Sequence, residues 1–403
     1  MSKRPNHADP SIPREGFLHR RGREVLNRLA HNEHFLNLFA VLVGVLRSHP
    51  PVGEVRRVLI YKPDHMGDML MATSALRAIR RRYPDAEIRI AAGEWCDAIL
   101  AGNPNVDQVV RYNSTLFLRP PYRPDSFRDL RARLGSWRPD LVIGLRDDWK
   151  TLLGALFSSV PHIQRGSVHL REYLHRRRTG EPRQHEIKRL AELLAPLGID
   201  LDPEAHLDYF VTPEEEEEAG RFLADNGIDV PFATIHTGAS QKLREWSLER
   251  FAEMARHIVA THGLRIVLIG SGGEVERSAG LAALIGDLNP IDLTGRLDLR
   301  SMAAVLKRAS LYLGSDGGLM HMAAVVGTRT LGLFGPGLHH MFRPIGRQVA
   351  TVYHQFPCSP CDQVHCVRPD DTCMQAVTIA EVIEETEKLM ERGGRSDPTA
   401  LQP

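Results

Sequence analysis

Six residues carry the plainest chemical signal, Asp316-Gly317-Gly318-Leu319-Met320-His321. Two glycines leave the backbone bare between an apolar run, Leu311 to Gly314, and an apolar stretch from Met320 to Val326. A buried strand running through such a turn into a helix aims unpaired N–H groups and the positive end of the helix at one point, where a phosphate is the natural occupant. Asp316 adds an acceptor and His321 a donor. A Gly-Gly turn is also ordinary turn chemistry, so this segment needs support from the rest of the chain. A second polar turn, His65-Met66-Gly67-Asp68, follows the apolar run Arg57 to Lys62 and precedes a helical pattern over Met69 to Tyr83. Asp68 there is a carboxylate at the ligand-facing end of an α/β unit, or the N-cap of the helix. A third group is Cys358, Cys361, Cys366 and Cys373, whose four thiols are near enough in sequence for a tetrahedral metal site, zinc or similar, or for reduced thiols or a redox pair. Asp200-Leu201-Asp202 matches a D-x-D string but precedes a proline in a loop, and chance explains it.

These groups need elements to hold them. Apolar runs at Glu87 to Ala92, Gln108 to Tyr112, Leu141 to Leu145 and His162 to Arg165 alternate with helical stretches. The alternation resumes at Phe232 to His236, Ile266 to Gly270, Ile291 to Thr294, Leu311 to Gly314 and Thr330 to Phe334. Strands and helices in alternation predict parallel sheets covered on both faces, and polar turns at strand carboxyl ends place a ligand cleft between two such domains. Thr212-Pro213-Glu214-Glu215 marks the crossing, with an N-cap, a proline at the first helical position and a carboxylate at the third. The glutamate run Glu214 to Glu218 therefore has a structural reason, and no catalytic role is assigned to it. Thr378 to Met390 reads as a last helix.

Composition limits the function. A chain of 403 residues exceeds one hydrophobic core, and 51 basic against 50 acidic residues give no reason to expect a nucleic-acid partner. Four of the five cysteines crowd into one short segment, unlike a secreted disulfide scaffold. The N-terminus lacks a signal-like apolar region, so a cytoplasmic location is expected. Phe35 to Leu46 is nearly all apolar with arginines upstream; it is too short to span a bilayer and reads as a helix packed on the first domain, or as an amphipathic element resting on the inner face of the cytoplasmic membrane. The basic run Arg176-Arg177-Arg178 is a solvated face or, beside the cleft, a contact for an acidic acceptor.

Over Arg57 to Met390 the chain resembles glycosyltransferase family nine, the ADP-heptose:lipopolysaccharide heptosyltransferases. Four blocks in order carry the resemblance: KPDHMGDMLMATSALRAIRRRYPDAEI from Lys62, HTGASQKLREWSLERFAEMA from His236, GSGGEVE from Gly270, and the long block from Thr294 through Pro336. The resemblance implies a GT-B architecture, two Rossmann-like domains whose parallel sheets face a central cleft. It divides the chain into an extension with an amphipathic helix (1–50), an acceptor-binding domain (51–212), a nucleotide-sugar domain (213–376) and a C-terminal helix and tail (377–403). It makes Asp68 catalytic and puts His65 on the acceptor side. Arg244 stands where the family has the lysine of K-x-W, with Lys242 two residues upstream. Asp316, Gly317, Gly318 and His321 match the diphosphate motif, with glycine in place of its hydroxyl residue. Glu274 falls where the family holds the nucleoside, and Leu297 where an apolar side chain covers the base.

The implied activity is an inverting, metal-independent transfer of a heptose or related sugar from an ADP-heptose-like donor to a lipopolysaccharide-type envelope acceptor. The chemistry required is consistent with these residues. A carboxylate must take the acceptor hydroxyl's proton, and fixed positive charge must receive the departing diphosphate. Asp68 supplies the first; Lys242, Arg244 and the N–H groups after Gly317 supply the second. No cofactor is required for transfer, and zinc at the cysteines would be structural. Two other readings remain, a GT-B enzyme acting on another acceptor such as a protein hydroxyl, and a non-catalytic nucleotide-sugar-binding protein.

Overall fold

In the computed structural model, the described residues are 53–114, 122–146, 162–164, 184–202, 206–359, 361 and 365–392, with isolated positions 38, 39, 42 and 178. Most of the predicted N-terminal helix and the arginines 176 and 177 lie outside them. Arg178 is exposed, as are Leu38 and Leu42.

Two parallel sheets organise the chain. The first takes β1 (Arg57–Tyr61), β2 (Glu87–Ala92), β3 (Gln108–Arg111), β4 (Leu141–Gly144) and β5 (His162–Gln164) in the order β3-β2-β1-β4-β5. The second takes β6 (Phe232–His236), β7 (Arg265–Leu268), β8 (Ile291–Asp292), β9 (Leu311–Ser315), β10 (Thr330–Phe334) and β11 (Val349–Tyr353) in the order β11-β10-β9-β6-β7-β8. Both are doubly wound, and each reverses direction once. The reversal falls between β1 and β4 in the first sheet and between β9 and β6 in the second. Crevices open at the carboxyl ends of strands on either side of such a reversal, because the following connections leave toward opposite faces.

Among the described residues, helices of eight or more are α1 (Met66–Arg82), α2 (Phe127–Leu134), α3 (Glu186–Leu194), α4 (Pro213–Asp225), α5 (Leu248–His262), α6 (Val275–Leu284), α7 (Leu299–Arg308), α8 (Gly318–Val325) and α9 (Ile379–Arg392). Helix α4 starts as its sequence dictates: the Thr212 side chain accepts from the Glu215 N–H, while the Glu215 carboxylate accepts from the Thr212 N–H. Two differences from expectation bear on the site. Helix α1 begins at Met66, so Gly67 and Asp68 lie inside its first turn, His65 is the N-cap, and the capping role considered for Asp68 is not the one it has. Strand β11 was not foreseen, because VATVY is a half-buried edge strand without a continuous apolar run.

Helix α1 is buried nearly all round, from Met69 through Ile79, because it is packed against its own sheet and lies between α3 of the same half and α8 of the other. The contact between α1 and α8 joins the two halves. Helix α9 packs on β11 and α5, so the last helix covers the second sheet.

Candidate active site

The first half of the site forms at the β1/β4 reversal. Lys62 follows β1 with its side chain wholly buried, and its ammonium lies 3.0 Å from Asp64 Oδ2 and 3.8 Å from Glu186 Oε1. Arg146, just after β4, lies 3.6 Å from Asp64, and Arg189 pairs with Glu186 at 3.4 Å. Asp64 also accepts from the His65 N–H, and its carbonyl accepts from the Trp95 indole at 2.6 Å. Asp64 is therefore committed to the fold.

Asp68 is the carboxylate left for chemistry. It sits one helical turn from Asp64 at the N-terminus of α1, and among the described residues its oxygens take no hydrogen bond or ion pair. The side chain keeps a window to solvent although protein surrounds it closely. Burial, and then the Asp64 charge, push its carboxyl up to about 7 against the opposing pull of Lys62 and Arg146. A carboxylate poised there can accept a proton at neutral pH far better than an ordinary aspartate.

The second half forms at the β9/β6 reversal. The loop after β6 carries Lys242, exposed, and Arg244, whose guanidinium lies 3.0 Å from Asp316 Oδ2 just beyond β9. Burial raises the Asp316 carboxyl, and Arg244 opposes this. Gly337 lets the chain after β10 run close to Asp316; a methyl group on it would sit 2.5 Å from Oδ2. Gly317 is the N-cap of α8 with an extended backbone and gives no side-chain cap, so the first N–H groups of that helix stay available to an anion.

His321, one turn into α8, is buried, and among the described residues its Nδ1 has no hydrogen-bond partner. Burial, aided by the His185 charge, pushes its imidazole down to about 4, so it is neutral at physiological pH. The Cδ2 edge of its ring faces Gly67: a methyl group there would lie 3.0 Å from that carbon. A methyl on Gly318 would in turn meet Met66 at 3.2 Å. The N-termini of α1 and α8 thus abut, bringing the Asp68 turn against the Asp316–His321 turn.

The remaining predicted residues have other partners. Glu274 closes a capping box with Ser271 and lies 3.0 Å from His236 Nε2. Burial works to raise its carboxyl, but hydrogen bonds from His236 and Ser271 outweigh this and hold it down to about 2. Gly238 makes room for it, since a methyl group there would lie 1.8 Å from Oε1. Leu297 is half-buried against the core, and His65 is half-buried at the start of α1. Sequence reasoning missed Lys62, Asp64, Arg146, Glu186 and His236. A lysine directly after a buried strand was a usable signal for the first, but Glu186 and Arg146 are distant in sequence and gave none.

All four clustered cysteines, with His365, line one cavity of about 240 Å³ walled by Leu243 and Pro336, residues adjoining the Arg244 and Asp316 loops. Burial, together with the nearby Cys361 and Cys366, pushes the Cys373 thiol up. The donor types suit zinc or iron. Among the described residues, no three of these sulfurs come within 4.8 Å of one another.

Two doubly wound domains, with a poised carboxylate on one and an open helix N-terminus with a cation on the other, define a GT-B glycosyltransferase. A profile described as "Glycosyltransferase family 9 (heptosyltransferase)" matches residues 127–370. The chain belongs to glycosyltransferase family 9. It is 29% identical over 325 residues to lipopolysaccharide heptosyltransferase 1 of Pseudomonas aeruginosa, covering 77% of this chain and 87% of that one. The fold matches a family 9 glycosyl transferase from Veillonella parvula with a TM-score of 0.67 at 20% identity, covering 84% of this chain and 98% of that one. It also matches the E. coli ADP-heptose LPS heptosyltransferase II with a TM-score of 0.62 at 20% identity, covering 84% and 100%. Among the described residues no helix is long and apolar enough to cross a membrane.

Proposed function

We propose that the protein transfers a heptose from ADP-heptose to a lipopolysaccharide core acceptor in the cytoplasm, by a single displacement that inverts the anomeric centre. The observation that carries this reading is the abutment of the two helix N-termini, with Asp68 on one side and the Arg244–Asp316 pair on the other. The acceptor hydroxyl gives its proton to Asp68, and its oxygen forms a bond to the anomeric carbon. The bond from that carbon to the diphosphate oxygen breaks, and its electron pair leaves with ADP. The first N–H groups of α8, with Arg244 and Lys242, receive the charge that develops on the diphosphate. Asp316 orients Arg244, and neutral His321 offers a hydrogen-bonding edge without adding charge.

Glu274, fixed by Ser271 and His236, presents the nucleoside side of the site, and Leu297 an apolar surface for the base. The acceptor lies on the His65 side, and exposed Arg178 is a candidate contact for its acidic groups. Apolar Leu38 and Leu42 fit peripheral contact with the inner membrane face, where such an acceptor is held.

The chemistry assigns no step to a metal. Zinc held by Cys358, Cys361, Cys366 and Cys373 is a second, structural reading favoured by their shared cavity; it would brace the loops behind Leu243 and Pro336. Loss of bound metal and of thermal stability in Cys361→Ser would be its signature, and metal-free parent protein would remove it.

The function is tested by incubating the protein with ADP-heptose and a truncated core acceptor and assigning the product by NMR. Release of ADP with one new glycoside of inverted configuration is expected. A retained configuration, or transfer only to another acceptor class, contradicts the proposal.

A further inference from the structure

A second convergence of metal-binding atoms lies on the far side of the second sheet. Glu387 Oε1 is 2.8 Å from His257 Nε2 and 3.0 Å from His262 Nε2, and the three atoms all lie within 4.8 Å of one another. Both histidines belong to α5 and the glutamate to α9. Helix α5 begins at the ligand edge, just after Trp246, and ends at Gly263, whose left-handed backbone turns the chain into β7 at Arg265. His262 is therefore at the edge where strands begin, opposite the Asp316 turn. The two helices run side by side in the same direction. Arg250, near the start of α5, donates to the carbonyls of Gln375 and Val377, while His262, at its end, meets Glu387.

We propose that His257, His262 and Glu387 bind a zinc ion that staples the C-terminal helix to α5. Two imidazole nitrogens and one carboxylate oxygen are the donor set of a three-ligand zinc site with water in the fourth position. Magnesium and calcium prefer all-oxygen shells, which this site does not offer. Ligand atoms about 2.0–2.1 Å from a tetrahedral zinc stand roughly 3.3 Å apart. The two gaps from Glu387 to the imidazoles, 2.8 and 3.0 Å, need to open by only about half an ångström or less to admit the ion. Each side chain is part-exposed, at 23%, 14% and 35%, so the ion can enter from solvent. Without zinc the same atoms are held by imidazole N–H groups donating to the shared oxygen; the cluster is thus assembled beforehand, and the ion replaces protons without rebuilding the backbone.

The test is added zinc on the full chain after chelation, followed by thermal unfolding and bound-metal analysis, comparing parent, Glu387→Gln, His257→Gln and Cys361→Ser. Glu387→Gln keeps an oxygen that accepts from both imidazoles, so in chelator its melting temperature should stay near that of the parent. With free zinc about 100 times Kd the parent should gain several degrees. Both the Glu387→Gln and the His257→Gln proteins should lose that gain and one zinc equivalent, and Cys361→Ser should keep both. Transfer activity in chelator should be unchanged in Glu387→Gln. An equal zinc response in parent and Glu387→Gln, or loss of the response in Cys361→Ser alone, would overturn the proposal: the triad would then be a hydrogen-bonded clasp and the zinc would belong to the cysteines.

Discussion

Two aspartates, Asp64 and Asp68, flank the start of α1, and their surroundings divide the work between them. Asp64 neutralises Lys62 and cannot give up that role without leaving an ammonium buried, whereas Asp68 has unshared lone pairs and a carboxyl raised to about 7. A base with that pKa predicts that kcat/KM rises with pH and levels off above about 7. Lys62→Met should move the rising limb to higher pH, because Lys62 lowers the Asp68 carboxyl. It should also cost about 3–5 kcal/mol of stability in denaturant titration, the usual result of stranding half of a buried pair. An unmoved limb would separate Asp68 from the base. At this scale the sequence displayed the candidate site residues, since glycine turns and carboxylates after strands are local patterns. The buried charges that tune them were hidden, as Lys62 meets Glu186 only through the fold.

At the scale of elements, the strands of both sheets were legible from apolar runs, and α4 from its capping box. Two elements were not. Edge strand β11 lacks a continuous apolar signal, and the Gly67-Asp68 pair reads as a turn, although a carboxylate in the first turn of a helix is favoured by the helix dipole. Placing Gly67 inside α1 gives it a packing role: it is the surface against which the His321 edge rests. Gly67→Ala imposes no left-handed strain, yet its methyl would press on His321 and push α1 from α8. We expect kcat to fall about 10-fold or more with little change in melting temperature, since small misplacements of reacting groups cost far more in rate than in stability. A rate within twofold of the parent would show that the two helix ends do not need their present contact.

For the whole molecule, the sheet orders decide where function sits. Composition and periodicity predicted two α/β halves, but not that β1/β4 and β9/β6 are the reversal points, because strand order is settled by long-range pairing rather than by local pattern. Those reversals bring Arg146 beside Asp64 and Arg244 beside Asp316, and the α1–α8 contact then sets one site against the other. Activity and stability oppose each other at Asp68. Its folded pKa lies above the ordinary value of 3.8, so the stability tied to its protonated form is full below that value and is lost as pH rises through about 7. Removing the charge should therefore stabilise the protein at pH 8 while disabling it.

That opposition is read most directly in Asp68→Asn at pH 8, by turnover, ADP affinity and melting temperature together. Turnover should fall by about 100- to 10,000-fold, the usual loss for a general base. ADP affinity should stay within twofold of the parent, because Asp68 is proposed to act on the acceptor, and the melting temperature should be equal or higher. Arg244→Ala, the control from the other half, should weaken ADP binding instead. Turnover within twofold of the parent in the Asp68→Asn protein, or a fall in turnover matched by lost ADP binding, would contradict the assignment of Asp68 as the base that activates the acceptor.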